Sequence, residues 1–64
     1  MLNTKILKNI KSALSKSKYG LTIQEMSKKL KLHRVTTTKY LYYLLGKNEV
    51  SYKVIGRAKL FMVK

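Results

Sequence analysis

Apolar residues recur at helical spacing along the first stretch of the chain, from Asn3 to about Ser17. They occupy positions i, i+1, i+4, i+7 and i+8, while lysine and other polar residues lie on the opposite side. Asn3 is the expected cap residue, because its side-chain oxygen can accept hydrogen bonds from the first free amides of a helix. The pattern predicts an amphipathic helix whose buried stripe consists of Ile6, Leu7, Ile10, Ala13 and Leu14.

A second helix is predicted to begin at Ile23. Thr22 and Glu25 stand three residues apart, the spacing at which a hydroxyl and a carboxylate form a capping box and satisfy two free amides. Ser27 lies beside the apolar stripe of this helix, where a small residue lets another helix approach closely. The stripe consists of Ile23, Met26 and Leu30, again at spacings of three and four residues.

A third helix, residues 34–45, is predicted after a break at residues 31–33. Its buried face is expected to hold Thr37, Leu41, Leu44 and Leu45. The opposite face is expected to show Val35, Thr36, Lys39, Tyr40 and Tyr43, with Arg34 in the first turn and His33 as the cap residue. Threonine and tyrosine form helices poorly, yet they suit contact with phosphates, thymine methyls and base edges. This composition indicates a surface that reads DNA.

The last part of the chain has the pattern of a β-hairpin. Gly46 is typical of a helix stop, and residues 50–55 then alternate between apolar and polar positions, which predicts a half-buried strand. Gly56 centres a turn over residues 55–58, after which residues 59–63 return as a second strand. A short extended piece at residues 20–21 can join this sheet at its edge. The predicted fold class is α+β, three helices followed by a two-stranded hairpin.

Taken in this order, the residues resemble the winged helix-turn-helix family of DNA-binding proteins from bacteria, archaea and their viruses. The resemblance spans residues 3–63, and residues 21–27 are similar to the segment that leads into the positioning helix, with Ser27 where the family has a small residue. The family has a leucine before the turn, an apolar residue in the turn, an early threonine in the recognition helix and leucines behind that threonine. The matching residues here are Leu30, Leu32, Thr36, Leu41 and Leu44.

Two residues depart from the family pattern. Lys31 stands where the turn often has glycine, and Thr37 stands where the recognition helix usually buries valine or isoleucine. A non-glycine residue with positive φ costs on the order of 1 kcal/mol. A threonine can bury its methyl group while its hydroxyl bonds to a carbonyl one turn back. Both departures are therefore compatible with the fold.

The resemblance implies that the hairpin is a wing whose tip lies beside the recognition helix. In that position Arg57 would enter the minor groove, and lysines of the wing would meet the DNA backbone. The DNA-binding residues predicted from the helix face and the wing are Arg34, Val35, Thr36, Lys39, Tyr40, Tyr43, Lys53, Arg57 and Lys59.

Composition and charge support the same partner. The 64 residues are expected to form one domain, 1–64, with a small core, since a chain of this size buries only about 60% of its unfolded surface. Fifteen basic residues against two acidic ones give a net charge of +13, which favours a polyanionic partner. Double-stranded DNA is the favoured polyanionic partner, and an anionic membrane surface is the second candidate. The membrane is less favoured because no apolar run approaches the ~20 residues needed to span a bilayer. The expected location is the cytoplasm.

Residues for catalysis or metal binding are sparse. The chain has no cysteine, and its single histidine, His33, cannot build a zinc site alone. Of the two acids, Glu25 is committed to the capping box and Glu49 follows the third helix, so no carboxylate is placed to orient a histidine base. No glycine-rich phosphate loop is present. We therefore expect no enzyme activity, no cofactor, no metal and no small-molecule ligand.

Three functions fit these observations. The first is a small transcriptional regulator that binds double-stranded DNA. The second is a nucleoid-type architectural protein with little sequence preference, which the excess of lysine favours. The third is a winged-helix module for protein interaction, since exposed aromatic residues often mark interfaces. The stripe Tyr40, Tyr42 and Tyr43 could serve that third function or form a homodimer surface.

Overall fold

The computed structural model describes residues 2–64 and consists of three helices followed by one β-hairpin. The helices are α1 (Thr4–Ser15), α2 (Ile23–Leu30) and α3 (Arg34–Gly46), and the strands are β1 (Val50–Ile55) and β2 (Ala58–Val63). This arrangement confirms the predicted α+β class, and its layout is consistent with a winged helix-turn-helix. The predicted unit 1–64 includes Met1, which lies outside the described residues.

Helix α1 is capped as the sequence predicts but ends slightly earlier. Asn3 Oδ1 accepts hydrogen bonds from two first-turn amides, at 2.8 and 3.3 Å. The helix ends at Ser15, because no apolar residue follows Leu14 at the spacing that would continue the buried stripe. Serine hydroxyls also compete for main-chain carbonyls at this point, and Ser15 Oγ donates to the Ser12 carbonyl at 2.8 Å.

Helix α2 has the predicted start and a left-handed end. Thr22 Oγ1 accepts from the Glu25 amide at 3.1 Å, and Glu25 Oε1 accepts from the Thr22 amide at 2.9 Å, which confirms the capping box. The helix is followed by Lys31, whose φ of 56° lies in the left-handed region. The Leu32 amide donates to the Ser27 carbonyl at 2.9 Å, as in a Schellman motif. A lysine therefore does occupy the turn position where glycine is usual.

The three helices pack around one apolar cluster, to which the base of the hairpin contributes. Its buried members are Ile10, Ala13, Leu14, Met26, Tyr40, Leu41, Leu44, Val50 and Phe61. Two small polar side chains meet between α2 and α3, where Ser27 Oγ lies 3.1 Å from Thr37 Oγ1. Thr37 is fully buried and its hydroxyl donates to the His33 carbonyl at 3.0 Å. Thr37 is thus buried in the way expected from the sequence, with its hydroxyl bonded to the carbonyl one turn back.

Helix α3 continues through Gly46, so the predicted stop at that glycine is wrong. The left-handed residue is Asn48, with a φ of 64°. The Asn48 amide donates to the Leu45 carbonyl and the Glu49 amide to the Leu44 carbonyl, both at 3.0 Å. Asparagine enters the left-handed region readily because its short polar side chain can bond locally. The chain therefore uses Asn48 to close the helix.

The hairpin extends beyond the helices. Its register runs from Val50 opposite Val63 to Ile55 opposite Ala58. Gly56 has a φ of 60° as the first residue of the two-residue loop, where a type II′ turn needs glycine. Val50 is buried, but residues 52–55 are exposed. The predicted half-buried strand is therefore wrong along most of β1, because only its base reaches the helices.

The loop before α2 joins the hairpin through one antiparallel bridge. Leu21 and Phe61 exchange both main-chain hydrogen bonds, at 2.9 and 2.8 Å. Gly20 has a φ of 92°, and a Cβ atom there would lie 2.7 Å from the Phe61 carbonyl oxygen, so only glycine fits. The predicted edge contribution of residues 20–21 is confirmed as this single bridge. It fixes the start of α2 next to β2.

Candidate nucleic-acid interface

An open cleft of about 560 Å³ lies between the starts of α2 and α3 and the tip of the hairpin. Arg34 reaches it as the first residue of α3, and Arg57 reaches it from the two-residue loop of the hairpin. These are the only two arginines of the chain, and Lys59 also lines the cleft. The full lining is Thr22, Ile23, Gln24, Arg34, Ile55, Arg57, Ala58 and Lys59. Residues distant in sequence thus concentrate positive charge at one place.

The start of α2 adds polar groups to this cleft that the sequence analysis did not assign to a site. Thr22 Oγ1 accepts from the Glu25 amide, and its own O–H remains a donor. Gln24 is exposed and carries two amide donors. Two amides of this helix start are used in the capping box, and the Glu25 carboxylate there offsets part of the positive field of the helix dipole. The capping box was the sequence signal that located this helix start.

The solvent-facing side of α3 matches the predicted face in most of its residues. Val35 is 73% exposed, Lys39 is exposed, and Tyr43 is 41% exposed. Thr36 is half-buried beside them. Arg34 is exposed at the first turn and belongs to the cleft. These side chains form a surface that a partner could reach without any rearrangement of the helices.

Tyr40 does not belong to that surface, and its placement there was wrong. It is only 6% exposed, and its hydroxyl accepts from the Asn3 amide at 2.9 Å. The reason is helical spacing: Tyr40 follows Thr37 by three residues and precedes Leu44 by four, so it shares their buried face. A helix packed in a core buries a stripe about 100° wide, which is broad enough to include this position.

Tyr42, rather than Tyr40, lies on the exposed face of α3. It is 42% exposed and follows Lys39 by three residues and Val35 by seven, so the same spacing could have identified it. Its hydroxyl accepts a hydrogen bond from Lys59 Nζ at 2.9 Å. This hydrogen bond raises the pKa of the Lys59 ammonium above its ordinary value, so the contact favours the charged form.

The two wing lysines point to opposite faces of the hairpin. Lys59 pairs with Val54, whereas Lys53 pairs with Leu60, and side chains alternate between faces along a strand. Lys53 is exposed and does not line the cleft. The structure thus brings Arg34, Arg57 and Lys59 together and separates Lys53 from them.

A second open groove, of about 710 Å³, lies between the start of α1 and the exposed face of α3. It is lined by Leu2, Thr4, Leu7, Lys39, Tyr42 and Tyr43. Lys47 Nζ lies 5.4 Å from the centre of the Tyr43 ring, close enough for a cation–π contact. Helix α3 therefore reaches the cationic cleft with its first residue, Arg34, and the second groove with Lys39, Tyr42 and Tyr43.

Within residues 2–64, neither acidic side chain forms an ion pair with an arginine of the cleft. Glu25 Oε1 bonds to the Thr22 amide. Glu49 accepts from Lys11 Nζ at 2.5 Å and lies 3.9 Å from Lys47 Nζ. The hydrogen bond from Lys11 lowers the pKa of the Glu49 carboxyl below its ordinary value. Glu49 is thus paired with two lysines, whereas the Glu25 carboxylate remains at the start of α2, next to the residues of α2 that line the cleft.

Other kinds of site are not supported within the described part of the chain. Among residues 2–64, no three histidine, cysteine or acidic side chains come close enough to hold a metal ion. His33 is the cap residue of α3 by position, but its side chain makes no capping hydrogen bond. No helix within this range is long and apolar enough to cross a membrane.

Comparison with known proteins gives a similarity to a transcriptional regulatory protein. No protein-family model matches the chain, and no solved structure matches it. The chain is 37% identical over 60 residues to the transcriptional regulatory protein CitT of Bacillus subtilis strain 168. The matched segment covers 88% of this chain but only 26% of CitT. The chain is thus similar to about a quarter of a transcriptional regulatory protein, which agrees with the regulator class expected from the sequence.

Proposed function

We propose that this chain binds double-stranded DNA and acts in transcription regulation. The observation that carries the proposal is the cleft in which both arginines and Lys59 meet beside the exposed face of α3. A net charge of +13 makes a polyanion the favoured partner. The similarity to a segment of CitT supports a regulatory role.

In this proposal α3 occupies the major groove, which is about 12 Å wide and admits an α-helix. Val35 and Thr36 would contact base edges and thymine methyl groups, since they lie near the start of the exposed face. Lys39, farther along the same face, would contact a phosphate. The cleft beside α3 would receive the DNA backbone, with Arg57 at the backbone or in the adjacent minor groove.

Two substitutions in α3 separate a sequence-reading regulator from an architectural protein. Lys39→Ala is expected to weaken binding to all duplexes, because a phosphate contact carries no sequence information. Thr36→Ala is expected to cost about 1 to 3 kcal/mol on the preferred site only, because a base contact is lost. Fluorescence anisotropy with a preferred and a scrambled duplex measures both. Equal losses on every duplex with Thr36→Ala would favour the architectural function.

A protein-interaction module, or a homodimer, remains the second candidate because of the groove beside α1. Tyr42 and Tyr43 line it together with Leu2 and Leu7, and exposed aromatic side chains are enriched at interfaces. The charge of Lys39 within this groove argues against a second copy of the same cationic chain. Weak DNA binding that does not respond to salt would favour this candidate over DNA binding.

A further inference from the structure

The side chain of Lys59 lies between two tyrosines that belong to different elements. Its Nζ atom donates to Tyr42 Oη of α3 at 2.9 Å and lies 5.5 Å from the centre of that ring. The same atom lies 4.7 Å from the centre of the Tyr52 ring of β1. The ammonium therefore meets Tyr42 at its hydroxyl, in line with the C–O bond, whereas its distance from Tyr52 allows a cation–π contact with that ring. Lys59 therefore bridges the recognition helix and the wing.

The two tyrosines also connect this bridge to the core. The Tyr42 ring meets the Phe61 ring edge to face, with centres 6.0 Å apart, and the Tyr52 ring lies 5.7 Å from it at a tilt of 44°. Phe61 is fully buried. Aromatic pairs of this geometry are favourable beyond the area that they bury. Lys59 thus closes the solvent edge of an aromatic cluster that is continuous with the hydrophobic core.

This cluster is the outermost attachment of the wing to α3. Val54 stands opposite Lys59, and residues 54–58, which include Arg57, are all exposed. The tip therefore has no buried side chain of its own to fix its direction. Its angle relative to α3 depends on contacts at the level of Lys59.

We propose that Lys59 is a positioning residue, which fixes the angle between the wing and α3 so that Arg57 meets DNA while α3 occupies the major groove. The proposal rests on the proposed function and assigns Lys59 a different role from the phosphate contact expected from the sequence. An ammonium has three donors, and one of them is used on Tyr42. The aliphatic part of a lysine also packs well against aromatic rings.

The first test needs no DNA. Lys59→Ala is expected to speed amide hydrogen exchange in β1 and β2 by about two- to five-fold, from the usual strength of an exposed cation–π contact. Lys53→Ala is the matched control, since it removes the same charge from the same hairpin on its other face. Lys59→Arg should restore slow exchange, because a guanidinium also stacks on aromatic rings. Equal exchange in the two alanine variants would overturn the proposal.

The second test measures DNA affinity across salt concentrations. Lys59→Ala should weaken binding by up to about five-fold, because a smaller fraction of molecules holds the wing in the binding position. The slope of log K against log salt should stay as in the unmodified chain. A slope flatter by about 0.9 would mean that Lys59 contacts a phosphate, and the positioning role would be wrong.

A double-mutant cycle with Arg57 completes the test. If Lys59 acts by presenting Arg57, then Lys59→Ala should have little further effect on affinity once Arg57→Ala is present. Additive losses would overturn the proposal. The two proposals can be rejected separately. If the unmodified chain binds DNA in a salt-dependent way but Lys59→Ala leaves hydrogen exchange unchanged, only the role of Lys59 is rejected. Absence of DNA binding in the unmodified chain rejects the proposed function, and the positioning role with it.

Discussion

Tyr40→Ala is expected to destabilise the fold by about 3 to 5 kcal/mol, the usual cost of removing a large buried aromatic ring. The ring is buried between α3 and the start of α1, and its hydroxyl is the acceptor for the Asn3 amide. The substitution therefore leaves a cavity and also removes the partner of a main-chain donor next to the α1 cap. Since small domains have stabilities of roughly 5 to 15 kcal/mol, a substantial part of the folding free energy would be lost.

Urea denaturation followed by circular dichroism measures this change, with two control variants. Tyr43→Ala makes the same replacement on the same helix at a position that is 41% exposed, so it should cost much less. Tyr40→Phe keeps the ring and removes only the hydrogen bond, so we expect a loss of about 1 kcal/mol. Equal stabilities of Tyr40→Ala and Tyr43→Ala would mean that Tyr40 is not a core residue and is free to contact DNA.

The second large effect is expected for DNA affinity when both arginines of the cleft are replaced. A specific arginine contact is worth about 1 to 3 kcal/mol, so Arg34→Ala with Arg57→Ala should weaken binding by roughly 2 to 6 kcal/mol if the two losses add. Arg57→Ala alone should lose most on A+T-rich flanks, whose narrow minor groove concentrates negative potential. Both side chains are exposed, so each change should alter stability by less than about 0.5 kcal/mol.

The control for this experiment removes two positive charges elsewhere. Lys8 and Lys16 are exposed on α1 and at its end, outside the cleft and the groove. Their double alanine variant should lose far less affinity than the double arginine variant in anisotropy titrations at one salt concentration. Similar losses in the two variants would mean that total charge, rather than the arginine cleft, determines binding.

Local signals in the sequence predicted most of the fold. The Asn3 cap, the Thr22 and Glu25 capping box and the glycine of the hairpin turn each act within a few residues, so their spacing reveals them directly. The left-handed conformation of Asn48 after α3 was not predicted, because glycine is the more common residue at such a position. Gly46 and Asn48 could each follow the end of a helix, and the general preference for glycine led to the wrong prediction.

Contacts between distant parts of the chain could not be predicted in this way. The bond from the Asn3 amide to Tyr40 joins residues 37 positions apart, and the bond from Lys59 to Tyr42 joins residues 17 positions apart. The first bond belongs to the buried Tyr40, which is therefore absent from the exposed face, and the second bond connects the wing to α3. The convergence of Arg34 and Arg57 in one cleft likewise depends on how α3 and the hairpin pack together.

Binding of the unmodified chain to a random duplex at several salt concentrations tests the proposed function most directly. If about five phosphates are neutralised, log K should fall with log salt at a slope near −4.5, from roughly −0.9 for each phosphate. Fluorescence anisotropy of a labelled duplex gives this slope. A slope of that size is the result we predict, and an affinity that does not change with salt would contradict DNA binding by this chain.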